Sequence, residues 1–265
     1  MKTNIHIVTQ WTAEGGSTES LIGLTNMFNQ RGVSAVLYGP HRYHLSKCNS
    51  RLLGKEIPLG QNDVLICHLM EMAQRPGCRK VILSCHEKHF FPIRQKNISG
   101  YDAIQFLSAH QKAWHQFSGE SVIIPPNLPP IQPVAGSPDT KDIAGVVGTI
   151  FAPKKTHKSI RRALRDGMRK VIIFGNIGDQ NYFDSRIKPL LSEKVIYNGQ
   201  VYNPQDIYNA VSCVYQSSES ETYGRVKAEC KLAGVEYRGT PECDIDIDIL
   251  SDDEIFQRWG ALLNL

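Results

Sequence analysis

Glu221 and Glu229 stand eight positions apart in the stretch Ser-Ser-Glu-Ser-Glu-Thr-Tyr-Gly-Arg-Val-Lys-Ala-Glu-Cys-Lys-Leu-Ala-Gly that runs from 217 to 234. Carboxylates accept hydrogen bonds well from sugar hydroxyls, and the first backbone N–H groups of a helix have no internal partner and bind anions. Two carboxylates flanking a helix start therefore suit a ligand with hydroxyls at both ends and phosphate between them. The spacing alone says little, since a chain of this acidic content yields about one such pair by chance. A capped helix with two solvated acids is the plain alternative.

The surrounding elements decide between these. Ala210-Val-Ser-Cys-Val-Tyr215 reads as a short buried strand. Val226, Leu232 and Ala233 recur at helical spacing among good helix formers, and Gly234 is placed to stop the helix. Ser218, Glu221 and Gly224 then fall in the turn between strand and helix. A helix from about 222 onward, rising about 1.5 Å per residue, separates the two carboxylates by roughly 10–12 Å. That is the reach from a sugar to a ribose across a diphosphate.

Upstream, strand and helix signals alternate, which predicts a parallel sheet with crossover helices. Ile5 to Val8, Ser34 to Tyr38, Val64 to Cys67, Val81 to Ser84, Ala103 to Leu107 and Val122 to Ile124 read as strands, with a helix through Leu21, Leu24 and Phe28 to Gly32. The segment 40–62, rich in Arg, His and Lys, reads as surface loop or a short helix. Six prolines between Pro125 and Pro138 cannot sit inside regular elements and mark a linker. The alternation resumes with strands at 144–148, 170–174, 195–197 and 211–215 and helices near 157–166, 181–191 and 204–210. Ile255, Phe256, Trp259 and Leu262 predict a final amphipathic helix. The expected organisation is a first Rossmann-like domain over 1–128, a proline-rich linker over 129–141, a second such domain over 142–250 and a C-terminal helix over 251–265. In sheets of this class ligands lie beyond the carboxyl ends of the strands, here in an inter-domain cleft.

Composition narrows the classes. The chain has 265 residues, 41% hydrophobic and 8% aromatic, ordinary for a protein with a real core. Thirty basic residues against 26 acidic leave +4, too mild to signal nucleic acid, though a local basic face is compatible with it. No apolar run approaches the roughly 18 residues of a membrane span, and the N-terminus runs directly into a strand with no signal peptide. Seven scattered cysteines without a CxxC pair point to a reducing, cytoplasmic setting. Cys67-His68 and Cys85-His86 close apolar runs and lack paired metal-ligand spacing, so no metal site is expected.

Taken in order, these motifs resemble the retaining glycosyltransferases of family 4, with the two-domain GT-B fold. The family's Pro-Ser-x-x-Glu-x-Phe-Gly element, its second glutamate and its small-residue stop are matched by Ser218, Glu221, Tyr223, Gly224, Glu229, Ala233 and Gly234. Val147-Gly-Thr-Ile-Phe-Ala-Pro-Lys-Lys155 resembles the family's glycine-to-lysine region. Gly15-Gly16 before a helix looks like its Gly-Gly turn, and Cys85-His86-Glu87 like its strand-end histidine. Ser108 with Lys112, then Ile123 to Asn127, is similar to the serine and asparagine elements that enter the linker.

The resemblance implies a role for each matched residue. Glu221 would accept hydrogen bonds from donor-sugar hydroxyls, and Glu229 from the ribose. Lys155 would neutralise the diphosphate leaving group, with Gly224 and Arg225 offering backbone N–H groups and Ser218 lining the same turn. Gly16 would let the first domain's backbone approach the phosphates, and His86 would sit beside the sugar and the acceptor hydroxyl. The implied reaction retains anomeric configuration and uses a nucleotide sugar, a UDP-sugar first and a GDP-sugar second, as substrate, with no cofactor and no divalent metal. For each residue a plainer reading stands alongside: His86 as a polar end to a buried strand, Lys155 as part of a solvated lysine cluster with Lys154 and Lys158, and Gly15-Gly16 as an ordinary turn.

Two departures bear on function. Thr149 stands just after Gly148, where the family carries a phosphate-binding arginine, so Lys154, Lys158 or Arg225 would have to compensate. Gly234-Val-Glu-Tyr replaces the family's Gly-x-Pro-Val. A catalytically silent nucleotide-sugar-binding protein and a GT-B sugar-nucleotide epimerase are the alternatives to a transferase. The acceptor is open among a glycan, a lipid-linked sugar, a small molecule and a modified DNA base. The segments 41–55 and 88–92, with basic and aromatic residues, are expected on the acceptor side.

Overall fold

The computed structural model describes residues 3–10, 15–40, 47–54, 56–88, 97–136 and 139–265. The chain forms two compact units, one of Met1–Asn127 with Asp248–Leu265 and one of Leu128–Ile247.

The first unit holds β1 (Asn4–Thr9), α1 (Gly16–Gln30), β2 (Ser34–Gly39), β3 (Ser50–Leu52), β4 (Val64–His68), β5 (Lys80–Cys85), β6 (Ala103–Phe106), α2 (Ala109–His115) and β7 (Ser121–Ile123). Its seven strands lie in the order β3-β2-β1-β4-β5-β6-β7, and every pairing is parallel. The second unit holds β8 (Ile143–Val147), α3 (Thr156–Arg165), β9 (Lys170–Phe174), α4 (Gln180–Tyr182), β10 (Val195–Gly199), α5 (Pro204–Asn209), β11 (Cys213–Gln216), α6 (Arg225–Ala233) and β12 (Glu236–Gly239). Its parallel sheet runs β10-β9-β8-β11-β12. A final helix, α7 (Asp252–Leu263), returns to the first unit. Each sheet is a Rossmann-like layer whose strand order reverses once, between β1 and β4 and between β8 and β11.

Parallel strands buried on both faces need continuous apolar runs, and β1, β4 and β5 supply them. On one face of the first sheet, Leu21, Leu24, Met27 and Phe28 of α1 pack with Ile5, Ile7, Ile66 and Ile82. α7 adds Ile255, Trp259 and Leu263 to the same core, with Trp259 edge-on to Phe28 at 6.2 Å. Its ends are satisfied in kind. Ser251 and Glu254 form a reciprocal capping box at the start. At the finish Lys80 Nζ donates to Leu262 O at 2.6 Å and Arg79 Nη2 to Leu263 O at 2.8 Å, placing two cations on carbonyls that the helix leaves unpaired.

The proline-rich stretch is less of a free linker than its composition suggests. Ile131 is buried in the core around Tyr208, Val134 N–H donates to Ala233 O at 2.9 Å, and Gln132 exchanges two backbone hydrogen bonds with the Gln205 side chain. Residues 128–136 therefore belong to the second unit; 137 and 138 lie outside the described residues. Three elements went unread in the sequence. β12, Glu-Tyr-Arg-Gly, and β3 are edge strands paired on one side, so neither needs an apolar run. α2 is seven residues long, capped by Ser108. The helix expected near 181–191 is broken instead: α4 widens into a π segment at Phe183–Ile187 and tightens at Lys188–Leu190, where Pro189 ends regular hydrogen bonding. Among the described residues no helix is long and apolar enough to cross a membrane.

All seven cysteines are free thiols, and six are buried. Burial pushes the Cys67 thiol up to about 12 and the half-buried Cys48 up to about 11. Native protein at mildly alkaline pH is thus expected to resist iodoacetamide, while urea-unfolded protein takes up seven labels by mass spectrometry. Trp259→Ala is expected to cost about 3–5 kcal/mol, read by denaturant unfolding, because it removes the largest of the three buried side chains that join α7 to the core of α1.

Candidate functional site

The reversal between β8 and β11 sends two loops apart at the carboxyl edge of the second sheet. The first leaves β8 through Gly148 and is stitched to the loop after β9. Ile150 N–H donates to Asn176 O at 2.9 Å, and Gly178 N–H to Ile150 O at 3.0 Å. The approach is close: a Cβ on Gly175, whose φ is +140°, would sit 2.1 Å from Gly148 O. The loop then makes a short turn at Ala152–Lys154, and Lys155 takes a left-handed conformation with φ +47° before α3 begins.

The second loop leaves β11 at Gln216. Glu219 N–H donates to Pro153 O at 2.9 Å, which joins it to the first. Two side-chain pairs reinforce the joint. Lys154 Nζ lies 2.7 Å from Glu221 Oε1, and Lys155 Nζ lies 3.2 Å from Glu219 Oε1. Gln216 Nε2 also donates to Glu221 Oε1 at 2.7 Å, while Gln216 Oε1 accepts from Tyr237 Oη at 2.7 Å. The Gln216 amide is thereby oriented from behind, and through it the Glu221 carboxylate, whose side chain is 12% exposed. Burial raises the Tyr237 phenol far above its ordinary value, so it remains a donor.

α6 begins at Arg225, later than the sequence pattern suggests, because Gly224 adopts φ +72° and acts as its cap. Glu221 therefore sits in the loop ahead of the helix start and Glu229 inside the helix. Glu229 is buried and held on both oxygens: Arg225 Nε donates to Oε1 at 2.7 Å and Tyr208 Oη to Oε2 at 2.8 Å. Burial and the neighbouring Glu229 charge drive the Tyr208 phenol well above its usual range. Ser218 is buried too, its hydroxyl donating to Ser220 O at 3.0 Å. The structure thus brings Lys155, Ser218, Glu221 and Gly224 onto two joined loops and sets Arg225 and Glu229 into an adjoining clasp. Thr149, at the position of the missing arginine, presses its methyl toward Gly178, where an added Cβ would come within 2.7 Å. The candidate substitutes are partly committed: Lys154 to Glu221, and Arg225 to Glu229.

In the first unit the matching edge carries a chain of polar contacts. His86, just beyond β5, is buried, and its Nε2 lies 2.9 Å from Ser84 Oγ. Glu87 Oε2 accepts from the His86 backbone N–H at 3.2 Å, and its Oε1 lies 2.9 Å from His68 Nε2. His68 Nδ1 lies 2.8 Å from Thr9 Oγ1, and the His68 and His86 rings sit 4.8 Å apart. A small cleft beside His86 is lined by Ser20, Ser84, Gln105, Asn127 and Trp259. Gly16 opens α1, but the loop 11–14 before it lies outside the described residues. Ser108 and Asn127 do structural work: Ser108 caps α2, and Asn127 Nδ2 donates to Asp252 Oδ1 at 2.7 Å. Residues 41–46, 55 and 89–92 of the expected acceptor-side segments lie outside the described residues. Among the described residues no three His, Cys, Asp or Glu side chains are arranged to hold a metal ion.

Gln216, Tyr237, Tyr208 and His68 were not read from the sequence as site residues. Gln216 and His68 end strands at the reversal points, and that position is the signal that finds them; Tyr208 and Tyr237 carry none. Gly175→Ala, which meets both the +140° φ and the Gly148 carbonyl, is expected to destabilise the protein by at least about 2 kcal/mol in thermal or urea unfolding.

No family model matches the chain, and no curated protein matches it. Solved structures do. The chain resembles HepE of Anabaena in complex with UDP-glucose, with 16% identity over 89% of this chain and 80% of that one and a TM-score of 0.70. It also resembles WaaG, a glycosyltransferase involved in lipopolysaccharide biosynthesis, with 13% identity over 99% and 90% and a TM-score of 0.61. A glycosyltransferase from Rickettsia africae matches with 12% identity over 91% and 79% and a TM-score of 0.65. At these identities the likeness establishes the fold: two parallel α/β units of Rossmann topology in one chain, as in the GT-B glycosyltransferases.

Proposed function

We propose that the protein is a glycosyltransferase that moves a sugar from a nucleotide-sugar donor, with UDP as the carrier, to an acceptor hydroxyl with retention of configuration. The observation that carries this reading is the Glu221 carboxylate, held by Lys154 and Gln216 at the strand reversal and directly ahead of the α6 start. Hydroxyl acceptor and phosphate-binding helix terminus stand side by side there, as a sugar attached to a diphosphate requires. The likeness to a UDP-glucose complex and to WaaG supports the same class of ligand and reaction.

On this reading Glu221 accepts hydrogen bonds from the donor sugar, and Gly224 and Arg225 offer backbone N–H groups to the diphosphate. Lys155 supplies positive charge to the leaving group, and Ser218 lines the turn. Glu229 acts on the ribose from within its clasp with Tyr208 and Arg225. The bond from the anomeric carbon to the phosphate oxygen breaks, a bond to the acceptor oxygen forms on the same face, and the acceptor proton passes to the departing phosphate. Lysine and helix terminus provide the charge stabilisation in place of a divalent ion. In the first unit, His86 is the candidate group beside the sugar and the acceptor hydroxyl, and Gly16 the candidate for close backbone approach to the phosphates.

Thr149 in place of a cation favours a second reading, a nucleotide-sugar-binding protein without turnover. A panel of labelled UDP- and GDP-sugars, with and without EDTA and with mass spectrometry of the products, separates the two. Glu221→Ala is expected to lower transfer or donor hydrolysis by about a hundredfold or more, and the shape-conserving Glu221→Gln to do the same with a smaller loss of melting temperature, since it keeps an oxygen to accept from Gln216 or Lys154. Binding of UDP-sugars with no turnover on any acceptor would establish the second reading and sink the first.

A further inference from the structure

On α3 the buried residues Thr156, Ser159, Ile160 and Ala163 repeat at helical spacing, and so do the cations Lys158, Arg161, Arg162 and Arg165. The cations line one wall of an open groove of about 740 Å³, with Lys155 at one end. Its other wall is made by the loops that leave β11 and β12, including Ser217, Ser218, Thr240 and Glu242. A volume of this order is that of a small-ligand site, typically about 300–1,000 Å³.

The charges in the groove are poorly balanced. Lys155 pairs with Glu219 at 3.2 Å, and Arg165 reaches Asp166 at 3.8 Å. Hydrogen bonds from Thr240 and its own backbone, then the Lys155 and Lys158 charges, hold the exposed Glu242 carboxyl below its ordinary value, but among the described residues Lys158 and Arg161 form no close ion pair. Like charges three and four positions apart on a helix repel and weaken it, so the stripe costs stability unless an anion offsets it. The unbalanced field reaches a neighbour: burial first, then Arg161, Arg186, Lys158 and Lys155, hold the His157 imidazole below its ordinary pKa. Arg162 is also fixed in place. Its Nη1 donates to Gln216 O at 3.1 Å and to Ser217 Oγ at 3.4 Å, and its guanidinium lies 5.6 Å from the centroid of the Tyr215 ring. An arginine held this way loses little further freedom when it meets a phosphate.

The lining also limits the ligand. Among the described residues no aromatic side chain borders the groove, so bases have nothing there to stack on. Among the described residues the exposed large apolar side chains, Leu52, Ile196, Tyr202 and Leu265, are not among its walls, so the groove offers a polar ligand charge and hydroxyls rather than apolar surface. Cations with hydroxyls and carboxylates opposite suit phosphoryl groups carried on a polyol. We propose that the part of this groove beyond Lys155, along Lys158, Arg161 and Arg165, is a second anion site, which takes a small soluble ligand bearing two or more phosphoryl groups and adjoins the donor turn at Lys155 and Ser218 without using the Glu221 carboxylate.

Calorimetric titration of the full chain with sodium tripolyphosphate tests this, using Arg161→Ala/Arg165→Ala, two exposed positions whose replacement leaves the core of α3 untouched. The double variant is expected to bind tripolyphosphate at least about tenfold more weakly, with a marked salt dependence in the wild type. Its UDP-glucose affinity should stay within about twofold of wild type. Glu221→Ala should do the reverse, leaving tripolyphosphate binding unchanged, so failure of the transferase reading and failure of this one are told apart. Undetectable tripolyphosphate binding, an unaffected double variant, or full competition by UDP-glucose overturns the proposal. So does binding of duplex DNA or anionic vesicles at least about tenfold tighter than tripolyphosphate, which would assign the groove to a macromolecule.

Discussion

An all-parallel sheet puts the carboxyl end of every strand on one edge, and right-handed crossovers send its helices to opposite faces once the strand order reverses. At that reversal the two central loops have no helix between them and must be held by their own contacts. In the second unit the Glu219 N–H to Pro153 O bond and the Lys154–Glu221 and Lys155–Glu219 pairs do this work. The candidate site depends on this constraint, since the same loops carry the acids, the lysines and the start of α6.

The two glutamates that share a sequence motif have different surroundings. Glu221 is oriented through Gln216 by Tyr237 and balanced by a lysine at the rim. Glu229 is enclosed by Tyr208 and Arg225, so its charge is met within the unit before any ligand arrives. A half-satisfied buried carboxylate would cost several kcal/mol, on the order of the penalty for breaking a buried ion pair. The clasp avoids that cost and fixes the first turn of α6. The cations of α3 show the opposite state, positive charge left largely unanswered at a surface.

Much of the fold was legible because parallel strands buried on both faces write continuous apolar runs, as β4 and β5 do. The edge strands β3 and β12 were not legible, because a strand paired on one side needs no such run. The broken helix after β9 was hidden because Phe183 and Ile187 keep an apolar pattern through the π segment. For the site, Ser218 and Glu221 could be placed in one loop from their order along the chain, while Lys155, in the loop after β8, was linked to them only through the family resemblance. Which lysine meets which acid could not: Lys154 and Lys155 are neighbours in sequence, and the left-handed backbone at Lys155 sends one to Glu221 and the other to Glu219. The roles of Tyr208 and Tyr237 are tertiary accidents of distance, and no spacing announces them.

The return of the last eighteen residues to the first unit has a bearing on how the protein is made. Domains fold as units during synthesis, N-terminal first. Here the first unit, begun earlier in the sequence, lacks Ile255, Trp259 and Leu263 until those residues are made, while the second unit, continuous in sequence, has all its parts earlier. The second unit is therefore complete before the first, and part of the apolar face of α1 waits uncovered until α7 is made.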